Sequence, residues 1–199
     1  MTEESALLNY RNFALIVWDV QYGITSRTIN LQDSLKNVKA LIDVTHSRGM
    51  PVIYSQSTGL PYEYQSAYTK FWQLKRGMDP KTPRMLEGTH DWQIMSEVAP
   101  TKEDIVLKKS THSFFVGTLL ENLLRNRKID VVIISGYSTE VGIEATARHA
   151  GQLGFIPVIP EDAIGSSDKA MHDASLMVMR KLFEVRPTSE IIQRIRSDA

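Results

Sequence analysis

Phe13-Ala-Leu-Ile-Val-Trp-Asp19 is a short, almost unbroken apolar run, rich in branched residues and closed by a carboxylate. It lacks polar alternation, so it suits a strand buried on both faces, as in a parallel sheet. Leu31 to Arg48 follows, with Leu31, Leu35, Val38, Leu41, Ile42 and Val44 recurring at helical spacing and Gly49 placed to cap the end. Pro51-Val-Ile-Tyr-Ser55 reads as the next strand, so the first third of the chain is a strand–helix–strand unit. The same alternation resumes after residue 101. Asp104–Lys108, Val131–Ser135, Ile156–Ile159 and Phe183–Arg186 read as strands; Gly117–Arg127, Thr139–Leu153, Asp168–Leu182 and Thr188 onward read as helices. Met171, Met177 and Met179 read as the core-facing side of their helix. Strands alternating with helices throughout define a three-layer α/β/α, Rossmann-like domain with a mostly parallel sheet of about six strands.

The length of 199 residues fits one compact domain, since domains run to roughly 100–200 residues, and no repeat, low-complexity tract or linker divides residues 1–199. With 42% hydrophobic and 23% charged residues the composition is that of an ordinary soluble globular protein. The chain has no cysteine, which excludes disulfide scaffolds, Cys-ligated zinc and Cys nucleophiles. Its 23 Lys+Arg cancel its 23 Asp+Glu, leaving no electrostatic reason to expect nucleic acid or an acidic membrane as partner. No segment approaches the ~20 apolar residues of a membrane helix. The N-terminal MTEESALLNYRNF carries acidic residues where a secretory leader would carry lysines, so a cytoplasmic location is expected.

Gln56 to Thr101 breaks the pattern. It holds half of the eight prolines and the aromatic residues Tyr62, Tyr64, Tyr68, Phe71, Trp72 and Trp92, with a helix expected near Ser66–Gln73. Long irregular segments in compact domains are often lids or binding loops. Here the reading stays open between a surface excursion and one that also borders a site, and packing accounts for its aromatics as well as a pocket would. Ligands of such sheets sit beyond the carboxyl ends of the strands, which directs attention to Asp19-Val-Gln21, Ser55-Gln56-Ser57, Lys108-Lys109-Ser110 and Gly136 to Gly142.

Several chemistries fail on these residues. Asp19-Val-Gln-Tyr-Gly lacks the glycine-rich turn of a dinucleotide or phosphate site. Gly136-Tyr-Ser138-Thr-Glu140 stands where a nucleophile elbow would, but Glu140 occupies the place of its second glycine, and His46, His90, His112, His149 and His172 offer no obvious base. No histidine pair has metal-ligand spacing, so neither a metal nor a cofactor is expected. What remains is a carboxylate at one strand end, Asp19, and an ammonium at another, Lys108 or Lys109. Two readings stand: a buried salt bridge between strand ends, and an acid/base pair in which the lysine tunes the aspartate and holds a substrate anion.

The chain resembles the isochorismatase-like hydrolases, which include cysteine amidohydrolases such as nicotinamidases as well as the isochorismatases. The resemblance covers nearly the whole chain. It is carried by Ala14-Leu-Ile-Val-Trp-Asp19-Val-Gln21, Gly49-Met-Pro-Val-Ile-Tyr54, Lys109-Ser-Thr-His-Ser-Phe-Phe115-Val-Gly117-Thr118 and Ser135-Gly136-Tyr-Ser-Thr139-Glu-Val-Gly142-Ile-Glu-Ala-Thr146-Ala-Arg148-His-Ala150. The resemblance implies a parallel sheet flanked by helices, a small-molecule substrate and a homo-oligomer, dimer or higher. It selects Lys109 over Lys108, makes Asp19 and Lys109 the catalytic candidates, and places oxyanion-stabilising amides at Ser138 and Gly142. It further implies a cis peptide between Tyr137 and Ser138 and a substrate pocket taking in Gln21, Gln56, Trp72, Phe115, Tyr137 and Thr139.

One departure matters. The position of the family's nucleophilic cysteine is Gly142 here, which excludes a thioester route. Isochorismatases also carry glycine there, but their glutamine after the second strand aligns with Ser57, and Gln56 is one place off. The chain thus looks like a cysteine-hydrolase relative that has lost its nucleophile. The leading expectation is a hydrolase of a small anionic metabolite by Asp/Lys acid–base chemistry, of the isochorismatase vinyl-ether type. The rival is a catalytically silent paralogue that binds a small anion or serves as an assembly partner. A Gly142→Cys exchange tests whether the rest of a cysteine-hydrolase site survives.

Overall fold

The computed structural model describes residues 7–8 and 10–197, so residues 1–6 and 9 of the acidic N-terminal stretch lie outside the described residues. β1 (Phe13–Trp18) is buried at every position and runs through the middle of the sheet. It pairs in parallel with β2 (Val52–Ser57) on one side and β4 (Val131–Tyr137) on the other. β3 (Ile105–Lys109) extends the β2 side, and β5 (Ile156–Pro160) and β7 (Glu184–Arg186) extend the β4 side. The order is β3-β2-β1-β4-β5-β7, with every pairing parallel. A seventh strand joins the expected set. β6 (Ile164–Gly165) pairs with Gly136 and Tyr137 at the end of β4, and two residues are too few to leave a periodic signal in the sequence.

Side-chain alternation along β1 sorts the two cores. Phe13, Leu15 and Val17 pack with Leu35, Val38 and Leu41 of α2 (Leu31–Ser47), which follows the single-turn α1 (Tyr22–Thr25), and with Ile191 and Ile195 of α7 (Thr188–Ser197). Ala14, Ile16 and Trp18 face the opposite layer. There they meet Leu120 and Leu124 of α4 (Leu120–Asn126), Ala147 and Ala150 of α5 (Glu144–Gln152), and Leu176 and Met179 of α6 (Lys169–Leu182). Each fully buried branched side chain of this kind is worth roughly 1.5–3 kcal/mol, so a polar residue at Val17 or Ile133 would open a core. Helix ends follow local chemistry. Gly49 (φ 62°) donates to the His46 carbonyl at 2.9 Å, and Asp168 accepts from the Met171 amide at 3.0 Å.

Two expectations need correction. The expected helix from Thr139 opens with a wide turn over Thr139–Ile143, in which the amides of Gly142 and Ile143 both donate to the Ser138 carbonyl, and regular α5 begins only at Glu144. In α6, Met179 is buried but Met171 and Met177 are exposed, because the apolar residues there spread beyond the width of one core face. Among the described residues no helix is long and apolar enough to cross a membrane. Strands β2 and β3 are laid down on one side of β1, whereas β4, β5 and β7 are laid down on the other. The switch point therefore lies between β1 and β4, where open α/β sheets place their ligands.

Candidate active site

Asp19 directly follows β1 with its backbone in the left-handed region (φ 44°). The strand beside it holds it there: Ser55 lies next to Trp18 in the β1–β2 register, its Oγ accepts from the Asp19 amide at 2.9 Å, and its hydroxyl donates back to Asp19 Oδ1 in a short hydrogen bond. Lys109, the last residue of β3, reaches past the end of β2 and donates from Nζ to Asp19 Oδ2 at 2.6 Å. The same ammonium donates to the Thr111 carbonyl at 3.1 Å and lies 3.8 Å from the centre of the Trp18 ring. Its neighbour Lys108 is exposed and pairs with Glu87 at 2.6 Å. Burial is the largest influence on both members of the pair. It pushes the Asp19 carboxyl up, against the pull of Lys109 and Ser55, and pushes the Lys109 ammonium down, against the pull of Asp19.

The segment after β4 completes the floor. The peptide between Tyr137 and Ser138 is cis. Gly136 (φ 115°) faces Trp18 in the β1–β4 register, and a Cβ there would overlap the Trp18 carbonyl oxygen. At Gly142 a Cβ would overlap Cη2, Cζ2 and Cζ3 of the Trp18 indole, so the ring occupies the space in which a side chain at 142 would start.

A cavity of about 340 Å³ opens above this floor. Asp19, Lys109, Ser138 and Trp72 line it, which brings together four of the candidates that lie far apart in the sequence. The others stand elsewhere. Gln21 is fully buried and spends its amide on Ser57 and the Trp92 carbonyl, which Gln56 also meets; together they tie the excursion to the sheet. Phe115 packs against Phe155 and His149. The Tyr137 hydroxyl bonds Ser34 at 2.6 Å, and Thr139 is buried on His172 Nδ1 at 2.8 Å. The Gly142 amide donates to the Ser138 carbonyl at 3.0 Å, beneath the indole.

The excursion borders the cavity. α3 (Ala67–Lys75), capped by Ser66 on the Thr69 amide, contributes Trp72, and the turn after it contributes Arg76. Arg84 enters from the loop that passes over Gly59. Neither guanidinium has a carboxylate partner among the described residues, and Arg76 stacks over Trp72 at 5.2 Å. His112 also lines the cavity, with Trp72 and Tyr68 edge-on to its ring. Its imidazole is held below the usual histidine range by burial first and then by the cations Lys109 and Arg76. Sequence reading missed these cationic groups as site residues because nothing local marks an arginine that lacks a partner. Among the described residues no three His, Asp or Glu side chains converge as a metal cage would require.

A parallel α/β sheet with a buried carboxylate–ammonium pair beyond its strand ends, under a cavity with a cationic rim, has the layout of a small-molecule site. Residues 13–190 match the isochorismatase domain, and the chain belongs to this family of hydrolases. An uncharacterised isochorismatase family protein, YecD, of Escherichia coli O157:H7 is 31% identical over 94% of this chain and 98% of its own length. The ureidoacrylate amidohydrolase RutB of Acinetobacter baylyi is 26% identical over 85% of this chain and 78% of its own length. A cysteine hydrolase from Pseudomonas syringae pv. phaseolicola 1448A has the same fold, with a TM-score of 0.81 at 21% identity over 96% of this chain and 95% of the other.

Proposed function

We propose that the chain hydrolyses a small anionic metabolite with water as the nucleophile and Asp19 as the group that moves protons. The observation that carries this reading is the Asp19–Lys109 pair, 2.6 Å apart at the floor of a cavity that Arg76 and Arg84 also line, neither with a carboxylate partner among the described residues. A carboxyl raised by burial holds a proton closer to neutrality than a solvated one, which suits an acid that must donate and then recover it. With a vinyl ether, Asp19 protonates the terminal carbon and water adds to the resulting oxocarbenium carbon. Asp19 takes back one proton from that water, and the hemiketal then separates into a ketone and an alcohol. Lys109 keeps Asp19 oriented throughout, and Ser138 meets charge developing at the leaving oxygen. Because Lys109 is engaged by Asp19 and Thr111, recognition of the substrate anion is assigned to Arg76 and Arg84.

Amide and ureide substrates, the chemistry named for the RutB relative, would demand a stronger nucleophile than a residue-142 hydrogen can offer, so they rank behind vinyl ethers here. The test is a turnover screen across carboxylate-bearing vinyl ethers, amides and ureides, with Asp19→Asn beside the parent. Turnover that disappears in an Asp19→Asn protein whose far-UV circular dichroism shows it still folded supports the reading. Full turnover in Asp19→Asn overturns it. No turnover of any class, with a carboxylate that still raises the Tm, would replace the hydrolase by a silent anion binder.

A further inference from the structure

The Lys109 ammonium has three close neighbours. It donates to Asp19 Oδ2 at 2.6 Å and to the Thr111 carbonyl at 3.1 Å, and the indole face of Trp18 lies 3.8 Å away. Two glycines hold that indole in place. Gly136 lets the Trp18 backbone approach β4, and Gly142 leaves the volume that the six-membered ring enters. A side chain at residue 142 and the ring of Trp18 are therefore mutually exclusive, and that same ring lies against the Lys109 ammonium.

We propose that Trp18 is a positioning residue whose ring, seated over Gly142, keeps the Lys109 ammonium on Asp19 and closes the covalent route, so that this route is shut by the pair Trp18 and Gly142 rather than by Gly142 alone. The inference rests on the reading of the chain as a hydrolase without a protein nucleophile. Replacing Gly142 alone puts a Cβ into the indole. Removing the ring as well frees the space a side chain at 142 needs and uncovers the ring-facing side of the ammonium, and a nearby uncovered cation favours a thiolate over a thiol.

The absence of cysteine elsewhere makes the test direct, because a cysteine at 142 is then the single thiol in the protein. Gly142→Cys and Trp18→Ile/Gly142→Cys are prepared, and the rate of S-alkylation by iodoacetamide is followed against pH. In that reaction the thiolate displaces iodide and forms one C–S bond. In the double variant the thiol is expected to titrate clearly below the usual value of about 8.5 and to alkylate about tenfold faster at pH 7 than in the single variant. The single variant is expected to lose Tm. A Gly142→Cys protein with the parent's Tm and a thiol as reactive as that of the double variant overturns the proposal, as does an unshifted thiol in the double variant. Should neither cysteine variant fold, Gly142→Ala and Trp18→Ile/Gly142→Ala decide: the proposal requires that Trp18→Ile restore Tm lost in Gly142→Ala, and no restoration overturns it. Alkylation does not depend on turnover. A parent without any hydrolysis beside a low-titrating thiol in the double variant would fail the hydrolase reading and leave this one standing.

Discussion

Lys109 Nζ lies 2.6 Å from Asp19 Oδ2, with each side chain only 2% exposed, and no bulk water screens the pair. Removing one member of such a pair strands the other charge, at a cost of about 3–5 kcal/mol, whereas removing both together is often nearly neutral. Burial raises the Asp19 carboxyl above its ordinary 3.8 and lowers the Lys109 ammonium below its ordinary 10.5. The Asp19 contribution to stability is thus present below 3.8 and lost as pH rises through its folded value. The Lys109 contribution is present above 10.5 and lost as pH falls through its folded value. Urea unfolding at pH 7 should show Lys109→Met to be strongly destabilised and Asp19→Asn/Lys109→Met to be far less so than the sum of the two single changes. Additive losses would mean that the two groups do not share one energetic unit.

Arg76 and Arg84 stand exposed at the rim of the cavity and lack carboxylate partners among the described residues. If they capture the substrate anion, they act equally on ground and transition states, so their loss appears in KM. Arg76→Ala and Arg84→Ala should each raise KM about threefold to tenfold and change kcat little, the modest size reflecting solvent screening at exposed positions. The effect should shrink as salt is added. Steady-state kinetics at low and high salt on the screened substrate checks both parts, and an unchanged KM in both variants would assign the anion to another group.

Most of the fold was legible because β1 and β4 are apolar at every position and α2 keeps a helical recurrence over its length. β6 was not, since two residues carry no period, and the wide turn at Thr139–Ile143 was not, since its hydrogen bonds share one carbonyl rather than follow a residue pattern. Asp19 was legible as a carboxylate that closes an apolar strand. Ser55, its hydrogen-bond partner, was visible as a strand-end residue but not in that role, because the role arises from β1–β2 register. In the sequence Trp18 reads as one more apolar residue of β1. That it fills the space above Gly142 depends on a contact between residues 124 positions apart, which no local pattern encodes.

His112 supplies a pH dependence whose sign follows from its position. Burial, then Lys109 and Arg76, lowers its imidazole from the ordinary 6.5, so the folded protein resists a proton that the unfolded chain accepts. The stability involved is present above 6.5 and lost as pH falls through the folded value. His172, lowered chiefly by burial, adds to the same slope. The parent should lose Tm between pH 7.5 and 5.5, and His112→Asn should lose less over that interval, with His172→Asn as the comparison. Equal losses in the parent and in His112→Asn would show that the imidazole at 112 protonates as freely in the folded state as in the unfolded one.

Gly136 and Gly154 separate two reasons for a glycine. Gly154 (φ 85°) ends α5, donates to the Gly151 carbonyl at 3.1 Å, and has open space where a Cβ would stand. Alanine there meets only the backbone penalty of the left-handed region, about 1–2 kcal/mol. Gly136 (φ 115°) carries that penalty too, and in addition a Cβ would overlap the carbonyl oxygen of Trp18 within the β1–β4 pairing. Neither strand can retreat, since both lie in the middle of the sheet and are buried along their length. Gly136→Ala should therefore cost about 3 kcal/mol or more, clearly above Gly154→Ala, because overpacking adds to strain. It should also shift Trp18 and, through the ring, the Lys109 ammonium, so activity should fall in whatever fraction remains folded. Urea denaturation of the two variants side by side provides the comparison: equal destabilisation would mean that the close approach of Gly136 to Trp18 carries no energetic weight.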